Sequence, residues 1–144
     1  MSVTRNDPGT IFLGGDRTQI GDLATAVELT PGFGVERFNN GGIIRWQLAV
    51  TDVANPPAVA TDQSMLNKDV DDVYAAGDLV EVSILHKGAS AWMFIASGQN
   101  VAAGDVLGNA GDGTLKTGAT VAIYSALENK ANVTVRTRIR VEAL

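Results

Sequence analysis

Side chains able to do chemistry are few in this sequence, and they lack the partners that chemistry needs. There is one histidine, His86, and there is no cysteine. Thiolate nucleophiles, disulfides and thiolate metal sites are therefore excluded. A general base works against a nucleophile or a second titratable group held beside it. His86 lies between two strand-like runs with no recognisable partner motif, so it is read as a solvated turn residue. GxSxG, HExxH and P-loop patterns are all missing from the sequence. Asn67, Asp69 and Asp71 alternate like the opening of an oxygen-ligand calcium loop. The sixth and twelfth places of such a loop need glycine and a bidentate glutamate, and here they hold Asp72 and Asp78. A solvated acidic loop is expected instead. Gly111-Asp112-Gly113-Thr114 lacks the lysine and the following helix of a phosphate cradle and reads as a tight turn. Lys116 is not set between methionines as the modified lysine of a swinging-arm carrier is. The expectation is a protein with no catalytic residues, no metal, no cofactor and no small-molecule substrate.

The strongest charge pattern is the row Arg136, Arg138 and Arg140 near the C-terminus. Alternating arginines on a strand form either a solvated face or a docking stripe for carboxylates on a sister subunit or another protein, since guanidinium offers paired hydrogen bonds. Trp46 and Trp92 are flanked by strand residues and are read as core packing.

The elements that must position these residues are short. The 144 residues include 16 glycines, with 45% hydrophobic and 19% charged side chains, enough for one domain with a core and many turns. A net charge of −5 argues against nucleic acid or an anionic membrane as partner. No basic-then-apolar leader and no membrane-length apolar run is seen. Strands are expected at 24–29, 43–50, 79–85, 92–96, 121–127 and 133–141, with turns at Thr30-Pro31-Gly32 and Asn39-Asn40-Gly41-Gly42. The segments 79–85 and 92–96 are expected to form a hairpin across 86–90. In the last strand Val133, Val135, Ile139 and Val141 should face one way and the arginines the other. Ala-Ala-Gly-Asp followed by two aliphatics occurs at 75–80 and again at 102–107. It is either turn chemistry met twice or a repeated strand-entry turn.

The fold class expected is all-β, a small β-barrel or β-sandwich with an extended N-terminal arm. Residues 1–23 form the arm and 24–144 the β-rich domain. The arm's one apolar patch, Ile11, Phe12 and Leu13, buries too little surface to order alone. It is a candidate for strand addition to a partner's sheet edge.

Several segments, in order, resemble the head decoration (capsid-stabilising, cement) proteins of tailed bacteriophages. They are Leu29-Thr30-Pro31-Gly32 with Val35-Glu36, Val73 through Val80, Ser97 through Leu107, and Gly111-Asp112-Gly113-Thr114-Leu115. Ala126-Leu127-Glu128 and Arg138-Ile139-Arg140-Val141-Glu142 complete the series. The resemblance spans 24–144. It implies a non-enzymatic β-rich domain that binds the outer surface of the expanded phage head, with the major capsid protein as partner and a homotrimer as its usual form. It also implies synthesis in the bacterial cytoplasm and residence in the virion. Ile11, Phe12 and Leu13 are then the candidate capsid-binding residues, and Arg136, Arg138 and Arg140 the candidate subunit or capsid docking residues. The rival expectation is a phage tail, baseplate or receptor-binding β module.

Overall fold

The computed structural model describes residues 10–50, 57–63, 66, 68–131 and 133–144, and its regular elements are all strands. They are β1 (Phe12–Gly14), β2 (Arg17–Ile20), β3 (Val35–Asn40), β4 (Ile43–Leu48), β5 (Ala58–Ala60) and β6 (Val82–Leu85). There follow β7 (Ser90–Ile95), β8 (Val106–Asn109), β9 (Leu115–Thr117), β10 (Tyr124–Ala126) and β11 (Thr137–Ala143). No helix among the described residues is long and apolar enough to cross a membrane.

Alternation in β7 and β11 builds the main core. Ala91, Met93 and Ile95 turn inward from β7, and Ile139, Val141 and Ala143 from β11, while Trp92, Phe94, Arg138 and Arg140 lie on the other face. The sheet runs β7-β11-β10-β8-β9 and closes when β9 returns to β7 through the parallel pair Ile95↔Leu115. The result is a five-stranded barrel filled by Met93, Ile95, Leu107, Leu115, Tyr124 and Ile139, so of the two expected architectures the chain adopts the barrel. Closure leaves these strands few open edges.

A second core holds Leu29, Val35, Trp46, Tyr74, Val80 and Val82. It lies under the hairpin β3–β4 and the three-stranded sheet β2-β6-β5. This sheet serves both cores: Val59 and Leu85 join the barrel cluster, whereas Ala58, Ala60 and Val82 join the second. That double duty explains why 79–85 does not alternate simply, with Val82, Ser83 and Leu85 all buried. It also corrects the expected hairpin. β6 and β7 are consecutive, but they pair in different sheets, and the turn closed by Ala89 N–H on the His86 carbonyl carries the chain from one to the other.

Three further expectations are corrected. Segment 24–29 is no continuous strand, because the Thr25 hydroxyl donates to the Val27 carbonyl (2.6 Å) and bends the chain, leaving only isolated bridges. The last strand starts at Thr137, and Val135 lies exposed beside a local bond from the Thr137 hydroxyl to its own carbonyl. The described part of the expected arm is not separate from the domain. β1 lies along β7 (Phe12↔Ala91), β2 pairs with β6 over four residues, and Ile11 is fully buried in the barrel core. Residues 1–9, the rest of that arm, lie outside the described residues.

The Ala-Ala-Gly-Asp echo is structural. Ala75 N–H donates to the Asp78 carboxylate and Ala102 N–H to that of Asp105, both at 2.9 Å. The return bonds, Asp78 N–H to the Ala75 carbonyl and Asp105 N–H to that of Ala102, are both 3.0 Å. Gly77 and Gly104 take φ of 94° and 92°, which glycine reaches without strain. The matching continues outside the turns: Gly77 N–H donates to Thr25 and Gly104 N–H to Ala126, while Tyr74 pairs with Leu29 and Val101 with Lys130. One turn opens into Leu79-Val80 and the other into β8.

Candidate interaction surface

The arginine row lies on the outer face of β11, interleaved with aromatic rings. Arg138 stands directly across from Phe94 and Arg140 from Trp92 in the β7–β11 register. The Arg138 guanidinium lies 4.6 Å from the Phe94 ring, Arg140 lies 6.0 Å from the Trp92 ring, and Arg136 lies 4.8 Å from the Phe33 ring. Such stacking gives modest attraction and fixes the guanidinium planes.

The three arginines differ in what else they touch. Arg138 is a structural tie, its side chain only 9% exposed. It donates to the Pro31 carbonyl through Nε and Nη2, to the Val70 carbonyl at 2.6 Å, and to the Asp71 carboxylate at 3.0 Å. Arg140 is more open and pairs with Glu128, whose other oxygen accepts the Arg140 backbone N–H. Arg136 is exposed, with its guanidinium over Phe33 and Phe94. Of the three, Arg136 and Arg140 keep donors toward the outside, while Arg138 is turned to holding two loops onto the barrel.

The apolar patch of the N-terminal segment is likewise divided. Ile11 is core, and its carbonyl accepts the Trp92 N–H at 2.8 Å. Phe12 is half-buried under the Arg17 guanidinium, 4.0 Å from the ring centroid, and Leu13 is exposed. A cavity of about 230 Å³ opens beside Phe12 and Arg17, with Asp62 and Glu81 on its wall. Its polar groups are engaged: Asp62 accepts the Ile11 N–H, Glu81 accepts from Gln19, and Arg17 donates to Ser83.

The other residues singled out from sequence take turn roles. The His86 ring meets the Thr18 hydroxyl at 2.9 Å. Asp69 accepts the Asp71 N–H and Asp72 the Asp69 N–H, so these carboxylates close their own loop, and Asn67 lies outside the described residues. Among the described residues no cluster of three or more metal-ligating side chains forms. Asp112 accepts from both the N–H and the hydroxyl of Thr114. Gly113 packs so closely under Leu48 and Phe33 that an added Cβ would lie 2.6 Å from Leu48. That turn joins the hairpin to the barrel, with Gly34 N–H donating to the Gly113 carbonyl.

One feature was not singled out from sequence, the outer half of the β3–β4 hairpin. Gly41 and Gly42 both take positive φ, 65° and 95°, which gives the two-residue turn the twist of its strands. Beyond the buried base at Val35 and Trp46, the hairpin extends into the open: a Cβ on Gly41 or Gly42 would meet no atom within 4 Å. Ile43 and Ile44 are 58% and 46% exposed there, with Arg37 and Arg45 on the same ribbon. The signal was present as two adjacent isoleucines directly after a glycine turn, where one of any adjacent pair must face outward.

These elements define a class of architecture, a closed five-stranded barrel carrying an added sheet and a projecting hairpin. Among solved structures it is similar to the head fiber gp8.5 N base of bacteriophage phi29, with a TM-score of 0.58 and 13% sequence identity. The match covers 90% of this chain and 93% of that one, and at this identity it is a likeness of fold. No family model and no curated protein matches the sequence.

Proposed function

We propose that this chain is a structural protein of the tailed-bacteriophage head, one that binds the outer surface of the expanded shell and stabilises it without catalysis. The observation that carries this reading is the fold shared with a phage head fiber base over nearly the whole of both chains. The order of head-decoration-like segments in the sequence supports it independently. The partner is the major capsid protein, and the form expected from the resemblance is a homotrimer.

Stabilisation of this kind needs no chemistry. A protein that binds the assembled lattice and not its dissociated subunits shifts the equilibrium toward the lattice by mass action. An oligomer that engages several shell subunits gains effective concentration for each later attachment, so single contacts stay modest. The exposed arginines Arg136 and Arg140 are the described members of the row suited to meet carboxylates of such a partner.

The phi29 neighbour favours a second reading, in which the domain is the attached base of a projecting head fibre. Quantitative mass spectrometry of purified virions separates the two. A copy number comparable with that of the major shell protein supports lattice-wide decoration. A copy number at a small fraction of it supports a fibre or tail component, and absence from virions overturns both.

A further inference from the structure

We infer that the β3–β4 hairpin of one copy docks on the acidic turn surface around 69–79 of a second copy. The hairpin presents Ile43 and Ile44 to solvent beside Arg37 and Arg45, and neither arginine forms an ion pair with a described residue. Two of the chain's 11 basic residues thus stand unneutralised on a ribbon whose outer half contacts little of its own domain, in a protein of net charge −5. A two-stranded ribbon of this kind is marginal by itself, and exposed aliphatics beside bare cations suit a surface of aliphatics beside carboxylates.

The chain carries that complementary surface. Val73 and Leu79, 43% and 57% exposed, flank the Ala75–Asp78 turn. Asp69, Asp72 and Asp78 surround them, all exposed. Each of these carboxylates accepts a local backbone bond through one oxygen, Asp69 from Asp71, Asp72 from Asp69 and Asp78 from Ala75. A carboxylate has acceptor capacity beyond one such bond, and an arginine fork can use it. The aliphatic pair of one surface therefore meets the aliphatic pair of the other, with charges of opposite sign around both. This contact does not rest on the capsid reading: it concerns two copies of the chain alone, and virion composition does not bear on it.

Sedimentation equilibrium of the full chain over a concentration series tests it. Association is expected to weaken at least about tenfold in Arg37→Glu/Arg45→Glu and in Asp69→Arg/Asp72→Arg. A chain carrying all four substitutions should recover it, because the charges are exchanged rather than removed. Ile43→Thr/Ile44→Thr should weaken it without changing charge. Asp69→Asn/Asp72→Asn, which keeps the turn's acceptors, should weaken it in a fold-neutral way, with thermal unfolding as the check on folding. A chain that is monomeric throughout, or association that these hairpin changes leave intact, overturns the inference. So does a four-substitution chain as weak as either pair.

Discussion

Arg138 donates two hydrogen bonds to the carbonyl oxygen of Pro31, 107 positions earlier in the chain. A third goes to the Val70 carbonyl, so one guanidinium pins two loops against the outer wall of the barrel. The residue that sequence offered as a candidate docking arginine is, by its bonds, a rivet.

Arg138→Ala should therefore destabilise the fold by about 2–4 kcal/mol, since bonds to a charged donor are lost and loop carbonyls are left short of partners. Arg138→Lys should lose a large part of the same amount, because an ammonium cannot reproduce the fork. Asp71 is 74% exposed on its side chain, and Asp71→Asn should change stability by less than about 1 kcal/mol. Urea unfolding of the three variants checks the order.

The twin turns should respond alike. Gly77→Ala and Gly104→Ala place a side chain at φ near +93° with no atom within 4 Å, so the cost is backbone strain alone. Each should cost about 1 kcal/mol or somewhat more, and the two should add. Asp78→Ala and Asp105→Ala, which remove equivalent carboxylate bonds to Ala75 and Ala102, should also match each other within about 0.5 kcal/mol. Chemical denaturation of singles and doubles tests equality and additivity together.

Alkaline stability follows from the two tyrosines, the only ones in the chain. Burial pushes Tyr74 up to about 12 and raises Tyr124 further, each from an ordinary value of 10.0. A raised folded value means that the stabilisation is fully present below pH 10 and is lost as pH climbs toward and through the folded value. Unfolding free energy should thus be flat with respect to these groups up to about pH 10. Above that it should fall by up to about 1.4 kcal/mol per pH unit for each tyrosine. Ultraviolet titration of phenolate should show no tyrosine ionising near pH 10 in the native protein.

Trp46 fills the second core, yet its indole N–H has no hydrogen-bond partner. Trp46→Phe removes that orphan donor while losing some ring volume, two effects of opposite sign and each about 1–3 kcal/mol. The net change should stay within about 1.5 kcal/mol, whereas Trp46→Ala should cost about 3–5 kcal/mol. Thermal or urea unfolding distinguishes the two outcomes.

Strands whose partners are apolar on one face and polar on the other were legible in the sequence. The inward Ile139 and Val141 and the outward arginines of β11 are of this kind, as is Trp46 in β4. The turn echo was legible because the same four residue types serve the same two bonds. What escaped notice depends on partners remote in sequence. Arg17–Ile20 reads as polar loop and becomes strand because β6 supplies its ladder, and Ile11 reads as free because its neighbours at Ala91 and Val141 come much later. Barrel against sandwich turns on one parallel pair, Ile95↔Leu115, which no local pattern specifies. Arg138 illustrates the same limit: its alternation marks a face but cannot show which carbonyls lie above that face.

The position of β11 sets the order of assembly. It lies between β7 and β10, yet it follows every other described strand in the chain. A growing polypeptide therefore carries the two halves of the barrel wall, with Trp92, Phe94 and the inward Met93 and Ile95 unshielded, until that strand is synthesised. Folding is then a late, concerted event governed by distant pairings, and slow for a domain of this size. The exposure of unfinished chains during that interval makes crowding at the site of synthesis, rather than the stability of the finished barrel, the main hazard for yield.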